Sequence, residues 1–334
     1  MNKEFNVAIA GATGAVGIEM IQTLERRNFP VKNLRLLASA RSVGKKLSYK
    51  GVEITVEELT HDSFKGVDIA LFSAGGDISK EYAKSVVDAG AVMIDNSSAF
   101  RMDDSVPLVI PEVNPEDIKL HQGIIANPNC TTIIMLVAVN PLHKAKKLKR
   151  LVAATYQATS GAGAKGMDEL LVQTRQALDE KPIEPKFFAH RIAFNLIPHI
   201  DAFNANGYTK EELKMVNESR KMLHCPELKI SCTCVRVPIL RAHSEALNME
   251  FAEDVSVEEV RAILRNAPGV TLVDDIANKS YPMPLDATDQ GNVLVGRIRQ
   301  DISRDDRKGI DMFISGDQIL KGAALNAVQI AELI

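Results

Sequence analysis

The sequence predicts an α/β protein: a doubly wound N-terminal domain joined to an α+β domain. Three observations carry this. Short apolar runs alternate with amphipathic helical stretches over residues 5–95, the rhythm of a mostly parallel sheet with helical crossovers. A glycine-rich turn, Gly11-Ala12-Thr13-Gly14-Ala15-Val16-Gly17, sits where the first strand should hand over to the first helix. After Cys130 the rhythm changes to longer strands separated by few helices.

Residues 5–10 form an apolar run bounded by Gly11, a buried strand. A helix over residues 15–27 follows, with Val16, Met20, Thr23, Leu24 and Arg27 at helical spacing, and Asn28-Phe29-Pro30 stops it. Strands are expected at 34–38, 52–56, 67–73 and 91–95, with a helix at 79–88. In the second half, helices are expected near 163–179, 209–223 and 256–266. Strands are expected at 151–157, 229–237, 244–251 and 293–300. Thr209 with Glu212, and Ser256 with Glu259, have capping-box spacing. The Ala-rich segment 317–334 reads as a helix whose apolar face returns to the first domain. The predicted boundaries are therefore 1–129 plus 314–334 for the first domain and 130–313 for the second.

Charged residues are 25% and apolar residues 46%, the profile of an ordinary globular protein. The net charge of -3 argues against a nucleic-acid partner. The apolar run 133–139 is far short of the ~20 residues that span a bilayer, and no cationic-then-apolar leader opens the chain, so a cytoplasmic enzyme without membrane contact is expected. Four cysteines are too few for a disulfide scaffold. Cys232 and Cys234 fit no common zinc spacing and read as buried thiols, and no metal is expected.

Cys130 is the most informative residue. It follows the apolar run 123–126 and the turn Asn127-Pro128-Asn129, and it precedes a long apolar segment. A strand, a tight turn and a helix place this thiol at a helix N-terminus, where unpaired N–H groups and the helix dipole favour the thiolate. A thiolate attacks carbonyl carbons.

The segment Gly11 to Gly17 follows a strand and opens a helix, the placement of a Rossmann-type dinucleotide turn, although its spacing is G-x-x-G-x-x-G and not the dinucleotide G-x-G-x-x-G. Glycines let the backbone approach a pyrophosphate, and the helix start donates N–H groups to it. An NAD site carries an acid after the second strand, but residues 38–46 contain none. Ser39, Arg41 and Ser42 suit a 2′-phosphate instead, which favours NADP. Two histidines compete for a proton-transfer role: His243 in Arg241-Ala242-His243-Ser244-Glu245, and His199 in Pro198-His199-Ile200.

The chain resembles the aspartate-β-semialdehyde dehydrogenase family over essentially its full length. The resembling segments are Gly11 to Gly17, Ser97 to Met102, Asn127 to Thr132, Gln157 to Gly163, Glu218-Ser219-Arg220-Lys221, and Arg236 through His243. The middle two residues of Glu-Ser-Arg-Lys depart from the Glu-Thr-Asn-Lys of another branch. The resemblance implies a homodimer in which the second domain is catalytic and dimerising. It also implies NADPH-dependent reductive dephosphorylation of L-aspartyl 4-phosphate through a cysteine thioester, a step toward lysine (through diaminopimelate), threonine, methionine and isoleucine.

By the same resemblance Cys130 is the nucleophile, His243 the acid/base and Gln157 the positioning residue for substrate and thioester. Arg236 grips the α-carboxylate and Glu218 the amine. Arg101 and Lys221 bind phosphate, with Lys214 a second candidate, and Ser160, Gly161 and Gln318 contact the cofactor. The rival resemblance, to N-acetylglutamyl-phosphate reductase, is weaker. The cysteine there lies in Gly-Cys-Tyr-Pro-Thr, whereas Asn129-Cys130-Thr131-Thr132 stands here.

Overall fold

A computed structural model describes residues 4–334. The elements are, in order, β1 (Phe5–Ala10), α1 (Ala15–Arg26), β2 (Val31–Ala38), β3 (Lys46–Tyr49), β4 (Val52–Glu58), β5 (Ile69–Phe72), α2 (Gly76–Asp88), β6 (Val92–Asp95) and β7 (Ile124–Ala126). There follow α3 (Cys130–Lys146), β8 (Leu148–Gln157), α4 (Ala164–Leu178), α5 (Lys210–Met222), β9 (Lys229–Arg236) and β10 (His243–Phe251). The chain continues with α6 (Val257–Arg265), β11 (Val270–Leu272), α7 (Pro284–Ala287), β12 (Val293–Gln300), β13 (Gly309–Gly316) and α8 (Leu325–Ala331). Two compact units result: Met1–Asn129 with Ala323–Ile334, and Cys130–Gly322.

The first unit is built on a seven-stranded sheet of order β3-β4-β2-β1-β5-β6-β7. All pairings are parallel except β3–β4. β1 is buried along nearly its whole length because helices cover both sheet faces, so its sequence is a continuous apolar run rather than an alternation. Alternate residues feed two cores. Val7, Ile9 and Leu36 pack with Met20 and Leu24 of α1 and with Val328 and Ile330 of α8. Ala8, Ala10 and Leu37 pack with Phe64, Phe72 and Val86. A bidentate pair from Arg27 to Glu332, at 2.5 and 2.7 Å, fastens the chain end to α1. α8 therefore returns to the first unit, as its apolar face requires.

The second unit holds a six-stranded mixed sheet, β11-β12-β13-β10-β8-β9. β8 pairs β9 parallel and β10 antiparallel, and β13 lies antiparallel on the far side of β10. α3 packs across one face against β8, β10, β12 and β13, and α5 lies on β9. α3 is buried continuously from Thr131 to Asn140, which explains why it is apolar all round. Both expected capping boxes form, at Thr209–Glu212 and Ser256–Glu259.

The second unit runs to Gly322, so residues 314–322 belong to it and not to the first domain, where the sequence boundaries put them. The reason is β13, whose last residues pair with β10 up to Gly316↔His243. The segment 317–334 is not one helix either: a turn leaves β13, a π-helical stretch covers Leu320–Ala324, and only then does α8 begin.

Candidate active site

The Gly-rich turn lies at the carboxyl end of β1, between its neighbours β2 and β5, where the strand order reverses and open α/β sheets bind ligands. Gly11 has φ +85, and a Cβ there would come within 2.3 Å of the Ser73 carbonyl oxygen; at Gly17 a Cβ would come equally close to the Gly11 oxygen. No other residue permits this crossing, and it opens α1 at Ala15 with Val16 and Gly17 in its first turn. Beside the turn is a cleft of about 500 Å³ lined by Gly11, Thr13, Gly14, Ser39 and Arg41, among others. Thr13 Oγ1 and Ser42 Oγ lie 3.4 Å apart. Glu58 also lines this cleft, from the end of β4, because its register partner is Ala38 at the end of β2. The sequence reading of an acid-free site therefore holds for residues 38–46 but not for the cleft.

Arg101 belongs to the first unit and is buried. Its Nε donates to the Asn127 carbonyl at 2.9 Å and its terminal nitrogen to that of Asn96 at 2.8 Å. Asn127 is itself pinned by Asn326, whose Nδ2 donates to Asn127 Oδ1 at 2.6 Å. The turn just before Cys130 in the chain is thus fixed by buried side chains.

In the second unit Gln157, Arg236 and His243 lie at the ends of three adjacent strands. Cys130 is the first residue of α3 and is half-buried. Gln157 ends β8, Arg236 ends β9 directly beside it, and His243 begins β10. All three are buried. A Cβ on Gly161 would meet Arg236 Nη1 at 2.9 Å and His243 Nε2 at 3.2 Å, so both nitrogens flank that glycine. A Cβ on Gly322 would meet Cys130 Cβ at 2.8 Å, so glycine is what lets the π-helical turn lie against the thiol.

His243 Nδ1 accepts the Ala158 N–H at 3.0 Å. A backbone N–H only donates, so a neutral ring carries its proton on Nε2, which has no partner among the described residues. Burial, then the Arg236 charge, holds the imidazole well below its ordinary pKa. Burial also lowers the Arg236 pKa, while Glu211, Cys130 and Cys234 act in the opposite sense. Arg236 Nη1 donates to the Ala158 carbonyl at 2.5 Å.

Glu218 and Lys221 lie on α5 with Lys214. Lys214 is engaged by two carboxylates, Asp201 at 2.8 Å and Glu211 at 3.2 Å. Gln318 donates to Ser160 Oγ and accepts the Ala242 N–H at 2.8 Å, clamping the residue before His243. His199 stacks on Phe203, with ring centroids 4.4 Å apart, and no strand end carries it. Cys232 and Cys234 are buried, reduced and pushed well above the ordinary thiol range by desolvation. No metal-binding cluster occurs among the described residues, and none of their helices is long and apolar enough to cross a membrane.

Two functional neighbours escape sequence reasoning. Glu211 accepts from Gln157 Nε2 at 3.2 Å. Asp317, fully buried, accepts the N–H groups of Ile319 and Leu320 and pairs with Arg241 at 2.7 Å. One helical face (Glu211, Lys214, Glu218, Lys221) would have pointed to the first; nothing in the sequence marks the second.

A unit with a Gly-rich dinucleotide-type turn, followed by a unit with a thiol at a helix start, is the layout of a nicotinamide-dependent dehydrogenase. Residues 6–121 match the semialdehyde dehydrogenase NAD-binding domain, and residues 139–321 the semialdehyde dehydrogenase dimerisation domain. Aspartate-semialdehyde dehydrogenase of Synechocystis is 54% identical over 334 residues, covering 100% of this chain and 98% of the relative. That of Bacillus subtilis is 50% identical over 340 residues, covering 99% and 98%. The crystal structure of aspartate semialdehyde dehydrogenase II complexed with ASA from Vibrio cholerae superposes with TM-score 0.96 at 46% identity, covering 99% of this chain and 98% of that one. A Candida albicans aspartate semialdehyde dehydrogenase with NADP superposes at 0.76 and 26% identity, covering 99% and 98%. The chain belongs to the aspartate-semialdehyde dehydrogenase family.

Proposed function

We propose that this chain reduces L-aspartyl 4-phosphate to L-aspartate 4-semialdehyde, with release of phosphate, through a thioester on Cys130. The observation that carries the reading is the convergence of a helix-start thiol, the Arg236 guanidinium and the His243 Nε2–H at neighbouring strand and helix ends of one unit. The Cys130 thiolate attacks the acyl carbon, the carbon–oxygen bond to phosphate breaks, and phosphate leaves with the electron pair. A bound nicotinamide supplies the hydride that reduces the acyl carbon. The resulting hemithioacetal oxyanion expels the Cys130 thiolate, which completes the cycle without a net proton on the sulfur.

His243 acts at the oxygen. With Nδ1 occupied by the Ala158 N–H, the neutral ring offers Nε2–H to the developing oxyanion, an electrophilic role open to a histidine of depressed pKa. To accept a proton at Nε2 the ring must give up that backbone bond. Gln157 orients the acyl group, Arg236 takes the α-carboxylate and Glu218 the α-ammonium. Arg101 and Lys221 supply the cations for phosphate.

Cys130→Ala should abolish turnover and leave cofactor binding nearly intact. Cys130→Ser should leave at most a trace, since a hydroxyl is far less ionised than a thiol. Substantial phosphate-dependent turnover by the Ala variant would sink the proposal.

NADP is the cofactor this reading favours, with Ser39, Arg41 and Ser42 about the 2′-phosphate. Glu58 supports a second reading, because a carboxylate lining the same cleft suits the free ribose hydroxyls of NAD. The family's dimerisation domain supports a homodimer formed by the second unit.

A further inference from the structure

β10 turns two polar side chains toward the face that α3 covers: His243 and, two residues on, Glu245. The face is set by the row through His243, whose partner Gly316 lies against Ile134 of α3. Glu245 is fully buried, and neither of its carboxyl oxygens has a hydrogen-bond partner among the described residues. Such a group is costly: an apolar side chain of similar volume would be more stable there. The mechanism above does not use it.

The neighbours of Glu245 across the sheet are Ile314 on β13, Thr155 on β8 and, one strand farther, Cys234 on β9. None is a cation. Desolvation, with no cation beside the group, pushes the Glu245 pKa well above the ordinary carboxylate range. Thr155 is fully buried and lies directly opposite on the same face, where Cβ atoms stand roughly 4.5–5.5 Å apart. Its hydroxyl donates to Gln157 Oε1 at 2.9 Å, and Gln157 Nε2 donates to Glu211 at 3.2 Å. A hydroxyl that donates once still accepts through its lone pairs.

We propose that Glu245 is a positioning residue for Gln157: its carboxylic acid donates to Thr155 Oγ1, which commits the Thr155 hydrogen to Gln157 Oε1 and lets the Gln157 amide face only one way. The direction of the chain depends on the proton. A carboxylate at 245 would accept from Thr155, draw its hydrogen away from Gln157, and leave the amide free to flip. A rotation of the Glu245 side chain, or one bridging water, closes the link. This inference rests on Gln157 orienting the acyl group, as proposed above.

The test uses the full chain with Glu245→Gln, Glu245→Leu, Thr155→Val and the Leu/Val double variant, with Gln157→Ala alongside. Glu245→Leu and Thr155→Val should each lower kcat/KM for aspartate semialdehyde by roughly tenfold, the scale of one hydrogen bond. The double variant should be no worse than either, because both break one chain. Glu245→Gln, whose amide donates in the same place, should keep most of the activity. Infrared spectra at neutral pH should contain a protonated-carboxyl stretch that Glu245→Gln removes. Thermal unfolding of Glu245→Leu at or above the wild-type temperature separates lost orientation from lost fold. Wild-type activity in Glu245→Leu, or an equal loss in Glu245→Gln without the infrared band, overturns the proposal. Full activity in Gln157→Ala instead defeats the underlying role of Gln157, whatever Glu245 does.

Discussion

At the scale of single residues, the proposed chemistry draws on groups whose surroundings bias their protonation. His243 is held neutral by desolvation and by Arg236, so its folded pKa lies below the unfolded value of 6.5. The unfolded chain therefore binds the extra proton first, and the stabilisation present above pH 6.5 is lost as pH falls toward the folded pKa. Glu245 has the opposite sign. Its raised pKa contributes stability in full below 4.5, which is lost as pH rises toward the folded value. We expect His243→Asn to cut kcat by ~10²–10⁴ with a smaller change in KM, and to flatten the fall in stability below pH 6.5. His199→Asn should do neither. A comparable kcat loss at His199, or an unchanged pH–stability slope in His243→Asn, would show the roles to be misassigned. Cys130, Gln157, Arg236 and His243 were legible because each sits in a distinctive local string. Glu211, Asp317 and Glu245 were not read from it. Glu211 is marked only by its face of α5 and its bond from Gln157, Glu245 only by the register of β8 and β10, and Asp317 only by the turn after β13.

At the scale of elements, periodicity found the strands that are buried on both faces and missed those held by tertiary pairing. β3 escaped because its hairpin to β4 turns through Lys50-Gly51 at φ 49 and 77, a left-handed pair usually announced by Asn or Asp before the glycine. β13 escaped because Gly309 and Gly316 bound it and Asp311 interrupts its apolar run. The missed hairpin matters for function, since β4 carries Glu58 into the cofactor cleft opposite Arg41. The ends of β2 and β4 should therefore read the ribose together. Arg41→Ala is expected to weaken NADP binding by ~1–3 kcal/mol, the scale of a charge-assisted hydrogen bond, and to leave NAD binding little changed. Glu58→Gln should leave NADP binding unweakened and lower affinity for NAD alone. Titration of each variant with both cofactors checks this. Equal losses for both cofactors in Arg41→Ala would mean that Arg41 does not touch the 2′-phosphate.

At the scale of the whole molecule, the second unit has a sheet with two unlike faces. α3 buries the face bearing Gln157, His243 and Glu245, while Val152, Ala154 and Tyr156 alternate onto the other. On that outer face Tyr156 is 38% exposed, with its ring 6.0 Å from that of Phe313. Phe313 also lines a shallow depression of about 230 Å³ with Ala246 and Asn248 of β10, Arg299 and Asp311. An apolar centre with a charged rim is the composition of a protein interface, and a two-fold pairing of this face would set the aromatic pair against its own copy. A stable pairing must bury more than roughly 1,000 Å², which a six-stranded face can supply. Tyr156→Asp and Phe313→Asp each bring a charge into that centre, and both should shift the protein toward monomer at micromolar concentration in sedimentation velocity. Because Tyr156 precedes Gln157 on β8, the dissociated form should also lose turnover, and activity should return on raising the protein concentration. A variant that stays dimeric would move the interface off this face. One that dissociates with full specific activity would show that the catalytic strand ends need no second copy to hold them.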